Sequence, residues 1–181
     1  MKKDCVVGLI GYPGSGKDMV AQMLVEQHGF TRIAFGDAIK DMLLLLDERY
    51  ENSRSKLEYH KGLGAEDPLQ TRKRLQHLGE YARAVNPYFW IDAAARAVPL
   101  TGPVVFSDIR YRNELEWVRE DPDMPGARHD GTIIGIDRPG YGAVNEHISE
   151  RNTGHLLLDA DAILINDNTP EALVAELLEF V

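Results

Sequence analysis

Residues 6–18 read Val6-Val7-Gly8-Leu9-Ile10-Gly11-Tyr12-Pro13-Gly14-Ser15-Gly16-Lys17-Asp18, and this stretch decides the fold. Its first five residues form the short apolar run that is typical of a strand covered on both faces. A glycine-rich run that ends in lysine and aspartate follows, and apolar residues then recur at helical spacing up to Leu24. A strand, a glycine-rich loop and a helix in this order predict a loop whose backbone surrounds a phosphate group.

The loop is predicted to bind the phosphates of ATP. Glycines allow the backbone to curl so that successive N–H groups point inward, and the start of the helix adds a partial positive charge. Lys17 is placed to reach the β- and γ-phosphates, which gives it a catalytic as well as a binding role. A plain tight turn is the alternative, but the order of strand, lysine and helix disfavours it. The ATP-binding residues predicted from the loop are Pro13, Gly14, Ser15, Gly16, Lys17 and Asp18.

Two carboxylates are predicted to hold Mg²⁺, the metal that accompanies ATP. Asp18 stands where such loops usually have Ser or Thr, and a carboxylate beside triphosphate oxygens is repelled unless a cation lies between them. Asp108 ends the apolar run 104–107, at the carboxyl end of a predicted parallel strand, where ligands of such sheets collect. Two alternatives stay open, namely Asp18 as a first-turn carboxylate favoured by the helix dipole and Asp108 as a helix cap.

Outward from this stretch, apolar strands alternate with amphipathic helices, the pattern of a parallel sheet with helices on both faces. We predict an α/β fold with a five-stranded sheet, as one domain over residues 1–181. An irregular excursion is expected at about 50–68 and a small lid at about 138–154. The predicted strands are 6–10, 31–35, 104–107, 132–136 and 162–165; the predicted helices are 16–28, one capped by Asp37, 69–84, 88–98, 111–120 and one capped by Thr169; a loop is predicted at 121–131.

The composition excludes several classes of protein. A net charge of −9 repels nucleic-acid polymers at long range, whereas a mononucleotide needs only a few local cations. The single cysteine, Cys5, cannot form an internal disulfide. No apolar run approaches the roughly twenty residues that span a bilayer, and the start of the chain does not have the pattern of a secretion signal. We therefore expect a cytoplasmic protein, with neither a membrane nor a nucleic-acid polymer as its partner.

A second anion-binding site is suggested by basic residues at three places. Residues 35–40 begin a helix after a strand, Arg72 and Arg83 lie on one stripe of the helix predicted at 69–84, and Arg110 follows Asp108 by two residues. Guanidinium groups offer forked, permanently charged donors to phosphate, although a single arginine is more often a solvated surface residue. An aromatic residue in the next helix is predicted to stack on a base, with a core position as the alternative. The predicted substrate-binding residues are Asp37, Lys40, Arg72, Gln76, Arg83, Trp90, Asp108 and Arg110.

The predicted chemistry is transfer of the terminal phosphoryl group of ATP to a nucleoside monophosphate, which gives the diphosphate. A phosphomonoester is largely dianionic near neutral pH, with a second pKa of about 6. Such an acceptor needs charge neutralisation and in-line positioning rather than a general base, and the sequence offers no compelling arrangement for a base. Arg138 and Arg151, at the two ends of the predicted lid, are expected to stabilise charge on the transferred group and to help exclude water.

An ordered set of motifs covers nearly the whole chain. The motifs are residues 11–18, residues 35–40, Arg72-x-x-Leu75-Gln76-x-Leu78-Gly79-Glu80-x-x-Arg83 with Pro87 and Trp90, Ser107-Asp108-x-Arg110-x-x-Asn113-Glu114, Arg138-Pro139, His147-x-Ser149-Glu150 and Asn166-Asp167-Asn168-Thr169-Pro170. On these residues the chain resembles the bacteriophage-type deoxynucleoside monophosphate kinases, within the P-loop nucleoside monophosphate kinase group. The phosphate loop is shared by many families, whereas the ordered set is much more specific.

The resemblance implies a three-layer P-loop kinase fold that uses ATP with Mg²⁺ and holds a (deoxy)nucleoside monophosphate on the helix that carries Arg72 and Arg83. It also implies that the loop before the final helix flanks the adenine of ATP, which adds Asn168 to the ATP-binding residues. Met19 is added as the neighbour of Asp18. The chain departs from its relatives at both added positions, because Thr is frequent at position 19 and Gly at position 168.

Other interpretations stay open. Dephospho-coenzyme A kinase and phosphomevalonate kinase share this scaffold, and the former phosphorylates a hydroxyl, for which Asp37 is the obvious candidate base. From a different class, a nucleotide-gated switch would fit the short Asp-x-x-Gly pattern of residues 137–140, but the chain has no Asn-Lys-x-Asp guanine motif. The preferred base, the choice between ribose and deoxyribose, and the formation of a homodimer stay open as well.

Overall fold

The structure is a computed structural model that describes residues 4–46, 68–120 and 131–181. The chain divides into two compact units: the first comprises Met1–Ala34 with Ala94–Val181, and the second comprises Phe35–Ala93. The excursion predicted at 50–68 and the loop predicted at 121–131 lie almost entirely outside the described residues. The single-domain organisation stays a prediction.

The first unit is built on a five-stranded parallel sheet of order β2-β3-β1-β4-β5. The strands are β1 (Val6–Ile10), β2 (Thr31–Ile33), β3 (Val104–Phe106), β4 (Thr132–Asp137) and β5 (Ala162–Ile165). The helices in the described part of the chain are α1 (Lys17–His28), α2 (Phe35–Leu46), α3 (Pro68–Val85), α4 (Phe89–Ala95), α5 (Arg112–Glu120), α6 (Ile148–Leu157) and α7 (Pro170–Leu178). The predicted five-stranded parallel sheet is confirmed.

The central strand β1 pairs with two strands that are distant in sequence. Val6 is in register with Val104 of β3, and Val7 is in register with Thr132 of β4. All five residues of β1 are buried, which explains why the strand reads as a continuous apolar run. Because parallel strands end at the same edge of a sheet, the segments that follow β1, β3 and β4 converge there.

Both faces of the sheet are covered by helices. On one face, the odd-numbered β1 residues pack with Leu24 of α1 and Leu177 of α7 in one core cluster. On the other face, Gly8 leaves space for neighbours, because a Cβ there would lie 2.8 Å from Ile133 Cδ1 and 3.2 Å from a methyl group of Val118 on α5. The layered α/β arrangement therefore follows from the alternation of side chains along β1.

The second unit contains α2, α3 and all of α4 except its last two residues. Buried Leu43 of α2 packs against Leu75 and Leu78 of α3. The indole N–H of Trp90 on α4 donates to the carbonyl of Gly79 on α3 at 3.0 Å, and the Trp90 side chain is buried. These contacts join the three helices of this unit around an apolar centre.

One predicted boundary is wrong, and one predicted segment includes the start of a helix. The second strand ends at Ile33, and α2 begins at Phe35, so Asp37 lies in the first turn of the helix and does not cap it. The predicted lid also contains the start of α6, whose N-cap is His147, with its ring nitrogen Nδ1 accepting from Ser149 N at 3.2 Å. The irregular part of the lid is therefore residues 138–147, which we call the lid segment.

The end of the chain agrees with its prediction. Thr169 is the N-cap of α7, its side chain accepts from Ala172 N at 3.2 Å, and Pro170 occupies the first turn. None of the helices in the described segments has the length and apolar character needed to cross a membrane.

Candidate active site

The loop between β1 and α1 has the backbone of a phosphate cradle. Gly14 and Gly16 have φ angles of +79° and +101°, a region that glycine adopts without strain. The loop is closed by a hydrogen bond from Ser15 N to the carbonyl of Tyr12 at 3.0 Å. Gly16 is the N-cap of α1 and provides no side-chain cap, so the first amides of the helix are offered to a ligand.

Asn166 supports the cradle from the end of β5. Its side-chain amide donates to the carbonyl of Ser15 at 2.7 Å, and its own backbone N–H donates to the carbonyl of Asp137 at 2.7 Å. A side chain at Gly16 would collide with this amide. The sequence motif that contains Asn166 does not indicate this role, and the structure identifies Asn166 as a support for the loop.

Lys17 is a buried cation at the base of the cradle. Its side chain is 4% exposed, and Nζ donates to the carbonyl of Tyr12 at 3.4 Å. Burial lowers the pKa of Lys17 below its ordinary value of 10.5, and the positive charge of Arg110 lowers it further, while the carboxylates of Asp18, Asp108 and Glu150 oppose this shift. These four charged groups therefore lie within electrostatic range of Lys17.

Asp108 is brought beside the cradle by backbone bonds that continue the sheet beyond β3. Ser107 N donates to the carbonyl of Ile33 at 3.0 Å, and Ile109 N donates to the carbonyl of Leu9 at 3.2 Å. Asp108, the residue between them, therefore lies at the carboxyl edge of the sheet, next to the loop that follows β1. This is the position that the sequence analysis assigned to Asp108.

The main chain of Arg110 is fixed on two sides. The carboxylate of Glu114, which is 1% exposed, accepts from the backbone N–H groups of Arg110 at 2.9 Å and Tyr111 at 3.1 Å. The side-chain amide of Asn152 donates to the carbonyl of Arg110 at 3.4 Å. Glu114 thereby acts as the acidic half of a capping box at the start of α5, and it aligns Arg110 at the same time.

Arg138 contacts the cradle directly. Its Nη1 donates to the carbonyl of Gly14 at 3.3 Å, and its guanidinium carbon lies 4.5 Å from the centre of the Tyr141 ring. That ring also covers Gly14, since a Cβ there would lie 2.7 Å from it. The contact of Arg138 with the ring is of the cation–π type. Sequence reasoning did not single out Tyr141.

Three predicted residues are less closely associated with the cradle. The side chain of Arg151 is exposed on the first turn of α6. Asn168 is exposed, and its side chain accepts from Thr169 N at 2.9 Å, as in a local turn. Met19 packs against the core cluster beneath α1.

The predicted acceptor residues of the second unit have local partners. Lys40 Nζ lies 3.2 Å from a carboxylate oxygen of Asp37, and Arg83 Nη1 donates to the carbonyl of Gly79 at 3.3 Å. Arg72 and Gln76 are partly buried on α3. Trp90 is 1% exposed and hydrogen-bonded, so the structure gives it a packing role and corrects the predicted stacking role. A ring buried among side chains has no face to offer to a base.

The residues beside the cradle fit a Mg²⁺ site of the kind that nucleotides complete. Asp18 and Asp108 provide hard oxygen donors, and Mg²⁺ is commonly held by one or two carboxylates together with phosphate oxygens and water. Among the described residues, no group of three or more His, Cys, Asp or Glu side chains could hold a metal ion by itself. A divalent cation at this place would therefore depend on the phosphates.

The fold is a five-stranded parallel α/β fold with a glycine-rich phosphate loop after its central strand. It has a parallel sheet with β1 at its centre, the glycine loop after β1 and a carboxylate after the neighbouring strand β3. Similar solved structures include the shikimate kinase of Aquifex aeolicus, with a TM-score of 0.49 and 15% identity over 96% of this chain and 94% of that chain. They also include the APS kinase of Mycobacterium tuberculosis, with a TM-score of 0.44 and 16% identity over 99% and 97% of the two chains. No family model matches the chain.

A curated relative from Acanthamoeba polyphaga mimivirus carries a more specific description. It is named "Putative deoxynucleotide monophosphate kinase" and is 27% identical over 97% of this chain and 95% of its own length. The resemblance to the deoxynucleoside monophosphate kinases that the sequence motifs predict is confirmed by this relative.

Proposed function

We propose that this protein is an ATP-dependent kinase that converts a deoxynucleoside monophosphate to the diphosphate. The observation that carries the proposal is the buried Lys17 at the base of a glycine cradle, with Asp108 and Arg110 held at the same sheet edge. A buried ammonium group beside open helix amides is an anion site. The full-length similarity to the mimivirus relative supports the nucleotide acceptor.

On the donor side, the cradle binds the β- and γ-phosphates of ATP. Pro13 belongs to the loop, and residues 14–16 supply its backbone N–H groups. Lys17 supplies a charge that needs no solvent reorganisation, because it is already buried. Asn166 keeps the loop in shape through the carbonyl of Ser15. Met19 follows the loop in α1, and Asn168 lies on the turn that we assign to the adenine.

Mg²⁺, when bound, neutralises phosphate charge as the phosphoryl group is transferred. Asp18 and Asp108 would hold it. These two carboxylates and Glu150 equal in number the cations near the cradle, which are Lys17, Arg110 and Arg138. The ligand-free site thus has no excess of positive charge, which predicts that productive nucleotide binding depends on a divalent cation.

On the acceptor side, we assign the monophosphate to arginines. The assignment follows the sequence motifs and names Arg110 of the first unit and, of the second unit, Arg72, Gln76 and Arg83. The pair of Asp37 and Lys40 at the start of α2 is proposed to contact the sugar or the phosphate. Forked guanidinium donors match the tetrahedral oxygens of a phosphate dianion.

The transfer needs no general base, because the attacking oxygen of a monophosphate already carries charge near neutral pH. The protein contributes alignment of the two phosphates and stabilisation of the spreading charge. Arg138, which contacts the carbonyl of Gly14, is proposed to bind the transferred group, and Arg151 is proposed to approach it when the lid segment closes.

The test is an assay of ADP formation with each common deoxy- and ribonucleoside monophosphate as the acceptor. We expect ADP formation with ATP and Mg²⁺ to depend strictly on a monophosphate, with at least one deoxynucleotide among the best acceptors. Dephospho-coenzyme A and phosphomevalonate belong in the same panel, since kinases of those substrates share the scaffold. The proposal would be contradicted if ADP formed with one of these two acceptors and with none of the nucleoside monophosphates.

The matched control is Lys17→Met, which removes the charge and keeps the length of the side chain. It should abolish turnover while leaving the far-ultraviolet circular dichroism of the protein unchanged. ADP formation that needs no acceptor and persists in this variant would indicate a contaminating ATPase. ADP formation that needs no acceptor and disappears in it would indicate a nucleotide-gated switch.

A further inference from the structure

Glu150 is a buried carboxylate to which the proposed binding of ATP and Mg²⁺ assigns no role. Its side chain is 1% exposed, and Oε1 lies 3.5 Å from Nη1 of Arg110. Its other oxygen accepts from the backbone N–H of Val144, in the lid segment, at 3.3 Å. A carboxylate is retained in such a place only when its partners compensate for the loss of water.

Helix capping does not explain this carboxylate. Glu150 is the third residue of α6, the position from which a capping-box glutamate bonds the backbone N–H of the N-cap residue. In this helix the backbone N–H of the N-cap residue His147 donates instead to the side chain of Asn145, at 3.0 Å. The ring of His147 in turn caps Ser149 N. The carboxylate of Glu150 is thus directed to Arg110 and to the lid segment.

The guanidinium of Arg110 is held by an ion pair that leaves hydrogen-bonding capacity unused. Nη1 of Arg110 is buried, yet it makes no hydrogen bond among the described residues. The side chain as a whole is 25% exposed, so a ligand can reach it. Glu114 and Asn152 fix the main chain of Arg110. The side-chain torsions can still change the direction of the guanidinium, and Glu150 restricts that direction.

We propose that Glu150 is the positioning residue of the Arg110 guanidinium and that it links this guanidinium to the lid segment through Val144. Glu150 touches neither phosphate, and it acts by presenting Arg110 in one direction before the phosphate arrives. The inference rests on the proposed function, in which Arg110 binds the phosphate of the acceptor. Preorganised donors lower the barrier because they need no rearrangement at the moment of reaction.

The experiment compares the wild type with Glu150→Gln, Arg110→Ala and the double variant in steady-state assays with the best monophosphate. Glutamine keeps the size and one acceptor oxygen, but it removes the charge and replaces the second oxygen with an N–H donor. We expect Glu150→Gln to lower kcat by about tenfold or more, with an unchanged or lower KM for the monophosphate, since Arg110 becomes less oriented and less neutralised. In the Arg110→Ala background the same change should alter kcat by less than about twofold.

Equal losses from Glu150→Gln in both backgrounds would overturn the proposal, as would no loss in either. Glu150→Asp, which keeps the charge with a shorter reach, should retain more kcat than Glu150→Gln, and it serves as the test if the glutamine variant unfolds. Asp159→Asn is the matched control, because Asp159 also pairs with an arginine, Arg112, at 2.8 Å in the same unit. It should leave kcat unchanged.

Calorimetric binding of inorganic phosphate separates this inference from the proposed function. Glu150→Gln should bind phosphate severalfold more tightly than the wild type, and this gain should disappear in the double variant. If the wild type forms no ADP with any monophosphate, the proposed function fails, and the phosphate titrations still decide whether Glu150 acts through Arg110. Unchanged phosphate affinity in Glu150→Gln would contradict its link to Arg110.

Discussion

At the scale of single residues, Lys17 shows a conflict between stability and function. Burial of its ammonium group outweighs the effect of the nearby carboxylates and is the main cause of its lowered pKa. Removal of the charge should therefore stabilise the ligand-free protein while it destroys the site. Functional residues commonly reduce stability in this way.

We predict that Lys17→Met raises the free energy of unfolding of the ligand-free protein by roughly 0.5–2 kcal/mol at neutral pH. The sign follows from linkage: the folded-state pKa lies below the unfolded value, so the charged lysine costs stability below the folded pKa. Urea unfolding at several pH values provides the measurement. The advantage of the variant should shrink as the pH rises from the folded pKa towards 10.5. A variant less stable than the wild type would contradict the burial argument.

Gly14 gives a second prediction at this scale. Its φ of +79° and the Tyr141 ring, 2.7 Å from a Cβ at this place, both oppose a side chain. We expect Gly14→Ala to weaken ADP binding by at least tenfold, because the cradle must open to admit the methyl group. Isothermal titration of ADP provides the measurement.

The control for that prediction is Gly29→Ala. Gly29 ends α1 with a φ of +72°, and nothing lies within 4 Å of a Cβ there. The backbone strain is thus similar and the steric clash is absent. We expect this variant to lose about 1 kcal/mol of stability and to bind ADP normally. Equal loss of ADP binding in both variants would show that strain alone, and not the cradle, accounts for the effect.

At the scale of helices and strands, the start of α5 connects a structural bond with the site. Glu114→Ala removes an acceptor shared by two backbone N–H groups. We expect a loss of about 1–3 kcal/mol of stability together with a fall in kcat of about tenfold, because Arg110 loses its alignment. Thermal unfolding and steady-state assays with the best monophosphate provide the measurements.

Asp161→Ala is the comparison for this prediction. Asp161 accepts from Ile133 N at 2.7 Å and pairs with Arg119 at 3.0 Å, near the opposite, amino end of the strands. It should cost a similar amount of stability and leave kcat unchanged. A proportional fall in kcat in both variants would mean that Glu114 matters only for folding.

The positions of most helices and strands can be predicted from the sequence. The bounds of β1 and β5 and the Thr169 cap agree with prediction, because continuous apolar runs and cap residues are local signals. The start of α6 inside the predicted lid was missed, because its His147 cap is an unusual one. Trp90 was misassigned, since its burial depends on contacts with another helix. The roles of Asn166, Tyr141 and Glu150 could not be predicted from the sequence, because only the fold brings these residues near the cradle from distant positions.

At the scale of the whole molecule, nucleotide binding should appear as added stability. A ligand that binds only the folded state at about 100 times its Kd adds about 2.7 kcal/mol to the free energy of unfolding. We predict that ADP with Mg²⁺ raises the melting temperature of the wild type and not that of Lys17→Met. Scanning calorimetry with and without ADP checks this. An equal rise in both proteins would place the nucleotide outside the cradle.

The position of β1 in the sheet also affects how the chain is made. The central strand β1 has neighbours on both sides only after β3 and β4 have been synthesised, because Val6 pairs with Val104 and Val7 with Thr132. At ribosomal rates of about 5–20 residues per second, the first strand stays without them for on the order of ten seconds. Such long-range pairing slows folding and leaves an apolar segment exposed during synthesis. The nascent chain is therefore expected to need chaperone protection until most of it has emerged.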